Sequence, residues 1–523
     1  MSKVHSTVSR RDFMKAVGLG AAGLGAAGAA APIFHDMDEL SSSKGERVSQ
    51  PWWVKEVDKP TVEIDWQLTE RYDHIDRLIY YHMPEYVGQA ETDRLADKGN
   101  RLQKEYLTTG EPADCDLRSM ALTQGGMFGW NRDFPEYFLG DPYAPPPEAM
   151  GVPRYTGTPE ENSRILTAAL RFFGASKVGF SKIYDENFRK YFFTRGRDFE
   201  GPVIDDRNDP RIGQPRPGIM VGSAGVINYI TPAKYTFGSP GSPVRYLEFE
   251  DTDKPYADDF KKVIPNSFTN VVVLEIPQSS RLTRTGPPSE LERNRWMGVA
   301  ATSQSYGNLA ITQRRVQKFM KVLGYHCLGG GTGGLAPVTA WGVWSGLGEM
   351  SRMNPMLTPE WGTMIRSTVI FVTDMELVPT KPIDGGMFRF CLSCTKCADA
   401  CPYGALQLGS EPTWEREGDY NCSGAKKFFI KAEKCYAHRL SIGLCDNCMI
   451  ACPFGDGSTS WIHDFVRASA SKAPMFNQFF FNMSKTFGYG AHMDVEDWWS
   501  DKDEPFGGVD TTVGTRWHRG RYT

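Results

Sequence analysis

Beyond residue 31, no stretch of the chain approaches the ~20 consecutive apolar residues that cross a bilayer. Runs such as 271–276 and 368–372 have only the length of strands. The reading is a soluble mature chain, so any membrane attachment must come from a partner. An excess of one charge is missing too: 59 Lys and Arg stand against 63 Asp and Glu, a net charge of −4. Residues 1–31 carry +3, from Lys3, Arg10, Arg11 and Lys15 against Asp12, which leaves −7 for the remainder. A mildly acidic chain has no reason to bind nucleic acid or anionic lipid nonspecifically, and no nucleic-acid partner is expected. Cysteine is sparse, 11 in 523 residues, too few for a disulfide scaffold of this size. No repeat of fixed period is present. The glycine run 329–334 lacks both the Lys-Ser/Thr ending of a phosphate-binding loop and a dinucleotide-binding spacing. It stays open between a generic turn and a place where backbone approaches a large flat ligand. With 40% hydrophobic and 23% charged residues, disordered and fibrous classes are excluded.

What is present begins with an address. Ser9-Arg10-Arg11-Asp12-Phe13-Met14-Lys15 reads as a twin-arginine export signal. It precedes a Gly- and Ala-rich stretch with a small-residue cleavage site at Ala27-Gly28-Ala29. Such a signal suits a cargo that folds around its cofactors before crossing the membrane. The chain then divides into an irregular N-terminal region over 32–157, a core over 158–380, a cysteine-bearing module over 381–465 and a C-terminal extension over 466–523. The core opens on Thr158-Pro159-Glu160-Glu161, a capping box with proline at the first helical position, and Gly174 ends that helix. Strands are expected at 176–181, at 271–276 and around Ile370, with another capping box at Ser289 and Glu292. Leu309, Val316, Phe319, Met320 and Leu323 mark one apolar helical face that Gly324 closes. Helices alternating with buried strands predict an α/β or α+β core.

Nine of the eleven cysteines lie between Cys391 and Cys452, and eight of those nine form two recognisable runs. Cys391-x2-Cys394-x2-Cys397-x3-Cys401-Pro402 has the spacing with which bacterial ferredoxins hold [4Fe–4S] clusters. Three thiolates of such a run serve one cube and the fourth turns to a second. The second run is Cys435, then after an enlarged loop Cys445-x2-Cys448-x3-Cys452-Pro453. By this crossover, Cys391, Cys394, Cys397 and Cys452 hold one cluster, and Cys435, Cys445, Cys448 and Cys401 hold the other. Zinc sites use other spacings. Cys115, Cys327 and Cys422 fit neither set and read as structural thiols.

The order of signal, large middle domain and paired cluster motifs resembles a respiratory reductive dehalogenase. The segments Pro51-Trp52-Trp53-Val54-Lys55, Gly157-Thr158-Pro159-Glu160-Glu161-Asn162, Phe172-Phe173-Gly174-Ala175 and Ser345-Gly346-Leu347-Gly348-Glu349 look like segments of that family. Leu323-Gly324-Tyr325, Thr373-Asp374, Pro379-Thr380-Lys381-Pro382-Ile383-Asp384, Phe476-Asn477 and Phe487-Gly488-Tyr489-Gly490 continue the match. The likeness is closest to chloroethene-reducing members from organohalide-respiring bacteria. It implies an α+β protein, with a nitroreductase-like α/β core that binds a corrinoid and a C-terminal ferredoxin-like module with two [4Fe–4S] clusters. No Asp-x-His-x-x-Gly segment is present, which fits a corrinoid bound without a protein histidine on cobalt, as the family implies, and equally fits no corrinoid. The implied activity is reductive dehalogenation of a small organohalide in anaerobic respiration. The implied partners are a respiratory electron donor and a small integral-membrane protein that docks the exported chain, peripherally, on the outer face of the cytoplasmic membrane.

Two residues carry over by position. Tyr306 stands nineteen before Tyr325 of the Leu-Gly-Tyr segment, where the family places its proton donor. Arg366 stands seven before Thr373, where the family places a basic partner. Tyr306 is also expected to precede a helix whose N-terminus favours negative charge. Gly330, Gly331, Thr332 and Gly333 are expected near the corrinoid or halide, with Thr332 where some members have asparagine. Competing readings are an exported iron–sulfur electron-transfer subunit without corrinoid chemistry and a relative of epoxyqueuosine reductase, against which the export signal and acidic charge argue.

Overall fold

The computed structural model describes residues 51–126, 137–196, 245–285, 296–442, 445–456 and 492–500, apart from 52, 259 and 332, with isolated positions 128, 482 and 490. The export signal, the capping box expected at Ser289 and Glu292, Thr332, Phe476-Asn477 and most of 466–523 lie outside the described residues. Of Arg366 the backbone alone is described.

Strand β1 (Lys55–Glu56) is followed by helices α1 (Ile79–Val87), α2 (Gln89–Thr109) and α3 (Leu117–Gly126). This corrects the expectation of an irregular N-terminal region. Helix α2 buries Thr92, Leu95, Ala96, Gly99 and Gln103, a face of mostly small and polar side chains. Its apolar periodicity is therefore faint in the sequence. Helix α4 (Pro159–Phe173) begins as expected: the Thr158 hydroxyl accepts from the Glu161 N–H, and the Glu161 carboxylate accepts from the Thr158 N–H. Gly174, at φ 120°, ends it.

Strand β2 (Lys177–Lys182) comes next, then a small sheet of β3 (Tyr246–Glu250), β4 (Tyr256–Ala257) and β5 (Lys261–Pro265) with β5 in the middle. Strand β6 (Asn270–Pro277) is buried along its whole length. It is the centre of an antiparallel sheet between β2 and β7 (Ile365–Thr373). Its alternate side chains feed two cores. Val272, Leu274 and Ile276, with Val369 and Phe371, pack against Leu166 and Leu170 of α4 and against Leu309, Val316 and Met320 of α5 (Trp296–Leu323). Val271 and Val273, with Ile370 and Val372, pack with Phe138, Phe192 and Trp341 of α6 (Val338–Trp344). Each such side chain contributes roughly 1.5–3 kcal/mol by burial. Helices cover both faces, so β6 reads as an unbroken apolar run rather than an alternation.

Strand β8 (Ile383–Asp384) pairs antiparallel with β1, Lys55 opposite Asp384 and Glu56 opposite Ile383. It leads into α7 (Met387–Ser393), α8 (Lys396–Asp399), α9 (Ala432–Ile442) and α10 (Asn447–Ala451). Ile79, Met83 and Leu95 pack with Ala432 and Leu440, joining the N-terminal helices to the cysteine module. Helices and sheets are mixed, as the α+β reading expects. Among the described residues, no helix is long and apolar enough to cross a membrane.

Candidate active site and cysteine clusters

Short helices set the cysteine spacing. Cys391 lies in α7, Cys394 caps its C-terminus, and Cys397 lies in α8. Cys435 is in α9, Cys448 is in α10, and Cys452 caps α10. Burial pushes the Cys397 thiol well up, and the neighbouring sulfurs of Cys391, Cys452, Cys448 and Cys394 add to it. Burial does the same to Cys448, reinforced by Cys445, Cys435, Asp446 and Cys401. The sulfurs acting on Cys397 are those of the other three cysteines expected in the first set together with Cys448, and those acting on Cys448 belong to the other three expected in the second. Burial also pushes Cys452 up to about 12, against hydrogen bonds from the Phe454 and Gly455 N–H groups. The Ala405 N–H donates to Cys401 Sγ at 3.3 Å. Main-chain donors to sulfur suit thiolates that carry charge in a metal cluster. Among the described residues, no group of three or more His, Cys, Asp or Glu is arranged to hold a single metal ion. Cys115 and Cys327 are buried, consistent with structural thiols, and Cys422 is half-buried.

Glu349 anchors the start of the module. Its carboxylate accepts from Thr61 Oγ1 at 2.7 Å, from the Gly385 N–H at 3.0 Å and from the Met387 N–H at 2.9 Å. Burial pushes its carboxyl up to about 7, and these donors oppose the shift.

The glycine run resolves into a turn folded on itself. A Cβ at Gly334 would meet the Gly330 carbonyl oxygen at 1.7 Å, and one at Gly329 would meet the Phe371 ring at 2.5 Å. Gly331 and Gly333 have φ of 63° and 83°, left-handed values that favour glycine. Gly330 faces open space, with nothing within 4 Å of a Cβ placed there. Gln313 of α5 fixes the turn, its Oε1 accepting from the Gly331 N–H at 3.1 Å. That bond orients the amide and leaves Nε2, fully buried, with no hydrogen-bond partner.

Tyr306 is half-buried and packs against the core between α5 and the sheet. It does not precede a helix. Helix α5 starts at Trp296, so Tyr306 lies in its interior, beyond the reach of the N-terminal partial charge. The early half of α5 carries Gly298, Ala300, Ala301, Thr302 and Ser303, small residues that read as loop. They let α3 approach closely: a Cβ at Gly126 would meet the Ala300 carbonyl oxygen at 3.2 Å. Gln313 follows Tyr306 by two helical turns, on the same face. Arg366 sits on β7 at a bulge. Ile276 faces Ser367 and Pro277 faces Ile365, so Arg366 is the extra residue. Ser305 Oγ donates to the Ile276 carbonyl at 3.1 Å, which seats the helix segment of Tyr306 beside that bulge. Gln313 lies in no motif, and the Ser345–Glu349 segment does not say what Glu349 binds; only the fold gives these two side chains a place.

Residues 49–205 match the family described as Reductive dehalogenase subunit, and residues 390–455, which include the eight cysteines of the two runs, match the 4Fe-4S double cluster binding domain. A chloroethene reductive dehalogenase of Dehalococcoides mccartyi strain VS is 31% identical over 97% of this chain and 99% of its own length. The chain belongs to the reductive dehalogenase family. It is an oxidoreductase acting on carbon–halogen bonds, and the cofactors of this enzyme are two [4Fe–4S] clusters and a corrinoid. A trichloroethene reductive dehalogenase from another strain of that species is 30% identical over 96% of this enzyme and 98% of its own length. Among solved structures, a catabolic reductive dehalogenase shares the fold with a TM-score of 0.52 at 18% identity, covering 84% of this chain and 49% of that one.

Proposed function

We propose that the enzyme replaces a halogen of a small organohalide, a chlorinated alkene, with hydrogen as the terminal step of a respiratory chain: R–X + 2 e⁻ + H⁺ → R–H + X⁻. The observation that carries this is Tyr306 and Gln313 on one face of α5, beside the bulge at Arg366 and the turn at Gly330. Cys391, Cys394, Cys397 and Cys452 hold one cluster, and Cys401, Cys435, Cys445 and Cys448 hold the other. The mutual influence of the thiols within each set supports this division. For the corrinoid, the open side of Gly330 and the unpartnered Nε2 of Gln313 fit the edge of a large planar ligand bearing acceptor groups. When bound, the corrinoid supplies the low-valent metal chemistry that opens the carbon–halogen bond. A nitroreductase-like description of the core belongs to this reading.

Tyr306 gives the proton. A phenol, with an ordinary pKa near ~10, is a neutral donor at physiological pH. A guanidinium beside it stabilises the phenolate left behind, and that is the role of Arg366. The twin-arginine segment supports export of the folded enzyme, which a small membrane partner then docks on the outer face of the cytoplasmic membrane.

Tyr306→Phe removes one hydroxyl. Turnover of a chlorinated alkene with reduced viologen should fall by roughly 10²–10⁴-fold at iron and corrinoid contents matched to the unmodified enzyme. Activity within twofold of the unmodified enzyme would remove Tyr306 from the mechanism.

A further inference from the structure

Arg352 is buried to 1% exposure in the segment between α6 and β7. Its guanidinium is spent on main-chain carbonyls around the first cysteine run. Nε donates to the carbonyls of Cys394 at 2.9 Å and Cys391 at 3.2 Å. Nη1 donates to those of Gln407 and Gly409, both at 2.6 Å. Nη2 donates to those of Cys391 at 2.5 Å and Leu392 at 3.4 Å. The guanidinium also lies over the Phe428 ring, 3.9 Å from its centroid. None of these partners is a carboxylate. A permanently charged group so deeply buried needs a counter-charge, and carbonyl dipoles supply only part of one.

A cube held by four thiolates carries net negative charge, and reduction adds one more. We infer that Arg352 is the internal counter-cation of the cluster held by Cys391, Cys394, Cys397 and Cys452, and that it raises the reduction potential of that cluster. Net charge and hydrogen bonding around the sulfurs are among the factors that set such potentials. The main-chain N–H of Arg352 donates to the Cys391 sulfur, while the hydrogen bonds of its guanidinium go to carbonyls. Arg352 is a positioning residue that acts by holding the carbonyls of the loop and by its charge. The inference rests on the proposed cysteine assignment, which the iron content of the unmodified enzyme tests separately: about eight irons per chain are required.

The experiment is an EPR-monitored redox titration of anaerobic holoenzyme carrying Arg352→Gln or Arg352→Lys. In Arg352→Gln, one cluster should become harder to reduce by about tenfold in its equilibrium, ~59 mV for one electron. The other cluster should stay where it is, and Arg352→Lys should restore most of the shift. Unchanged potentials in Arg352→Gln at full iron content would overturn the inference. Should Arg352→Gln lose its cube, retention of that cube by Arg352→Lys at a near-normal potential supports the charge. Equal loss in both variants overturns it, because shape rather than charge would then be what matters.

Discussion

Lys177 and Glu275 stand opposite one another on β2 and β6, yet the Lys177 ammonium binds Glu360, reaching both of its carboxylate oxygens at 3.0 Å. Glu275 is left fully buried, and neither of its carboxyl oxygens has a hydrogen-bond partner. Burial pushes its carboxyl up to about 8, while Lys177 and Arg171 pull the other way and Glu360 adds to the rise.

This arrangement has a pH signature. Between the ordinary carboxylate value of 4.5 and about 8, folded Glu275 holds a proton that the unfolded chain releases. Its contribution to stability is therefore fully present below 4.5 and lost as pH rises toward 8. The slope is on the order of 1 kcal/mol per pH unit. Glu275→Gln should remove that slope and gain on the unmodified enzyme with each unit from pH 5 to 8. Denaturation midpoints of both proteins across that range would show it, and parallel curves would refute it.

Glu349 should matter more than its single position in the sequence suggests. Glu349→Ala leaves two main-chain donors, Gly385 and Met387, without an acceptor. A loss of roughly 2–4 kcal/mol is expected. Thr61→Val removes one donor from the same carboxylate and should cost about 1 kcal/mol. Chemical denaturation of the two variants, with iron retention followed in parallel, measures both.

Gln313→Glu separates the two jobs of that amide. An oxygen remains for the Gly331 N–H, while the Nε2 donor is gone. Corrinoid bound per chain should fall, with affinity weakened roughly tenfold, at unchanged iron. Corrinoid content equal to that of the unmodified enzyme would detach Gln313 from the cofactor.

The capping box offers a local control. Thr158→Ala removes the side-chain acceptor for the Glu161 N–H and should lower stability by about 1 kcal/mol without altering iron or corrinoid. A thermal shift with constant absorption spectra is the expected pair of readings.

Much of the framework was legible because its signals are local. The Thr158 cap, the Gly174 stop and the 271–276 run each announce themselves within a few residues, and the cysteine spacing does the same for the cluster module. The N-terminal helices and the early half of α5 stayed hidden because close helix packing there uses Gly, Ala, Ser and Thr, which carry little apolar signal. The distance to a family segment singles out Tyr306 as a candidate but says nothing of its place in the middle of α5. Gln313, Glu349 and Arg352 act through carbonyls and N–H groups far away in the chain, and no spacing rule reports such bonds.

The pairing of Lys55–Glu56 with Ile383–Asp384 also governs the timetable of synthesis. The two strands are separated by roughly 330 residues, which a ribosome adding about 5–20 residues per second needs about 16–66 s to cover. Until then the first strand has no edge to join, and the helices at 79–109 lack Ala432 and Leu440. Contacts of such long sequence separation close late and slowly. The segment around Lys55–Glu56 is thus among the last of the described parts to settle, and a fragment ending before residue 383 would keep that strand waiting indefinitely.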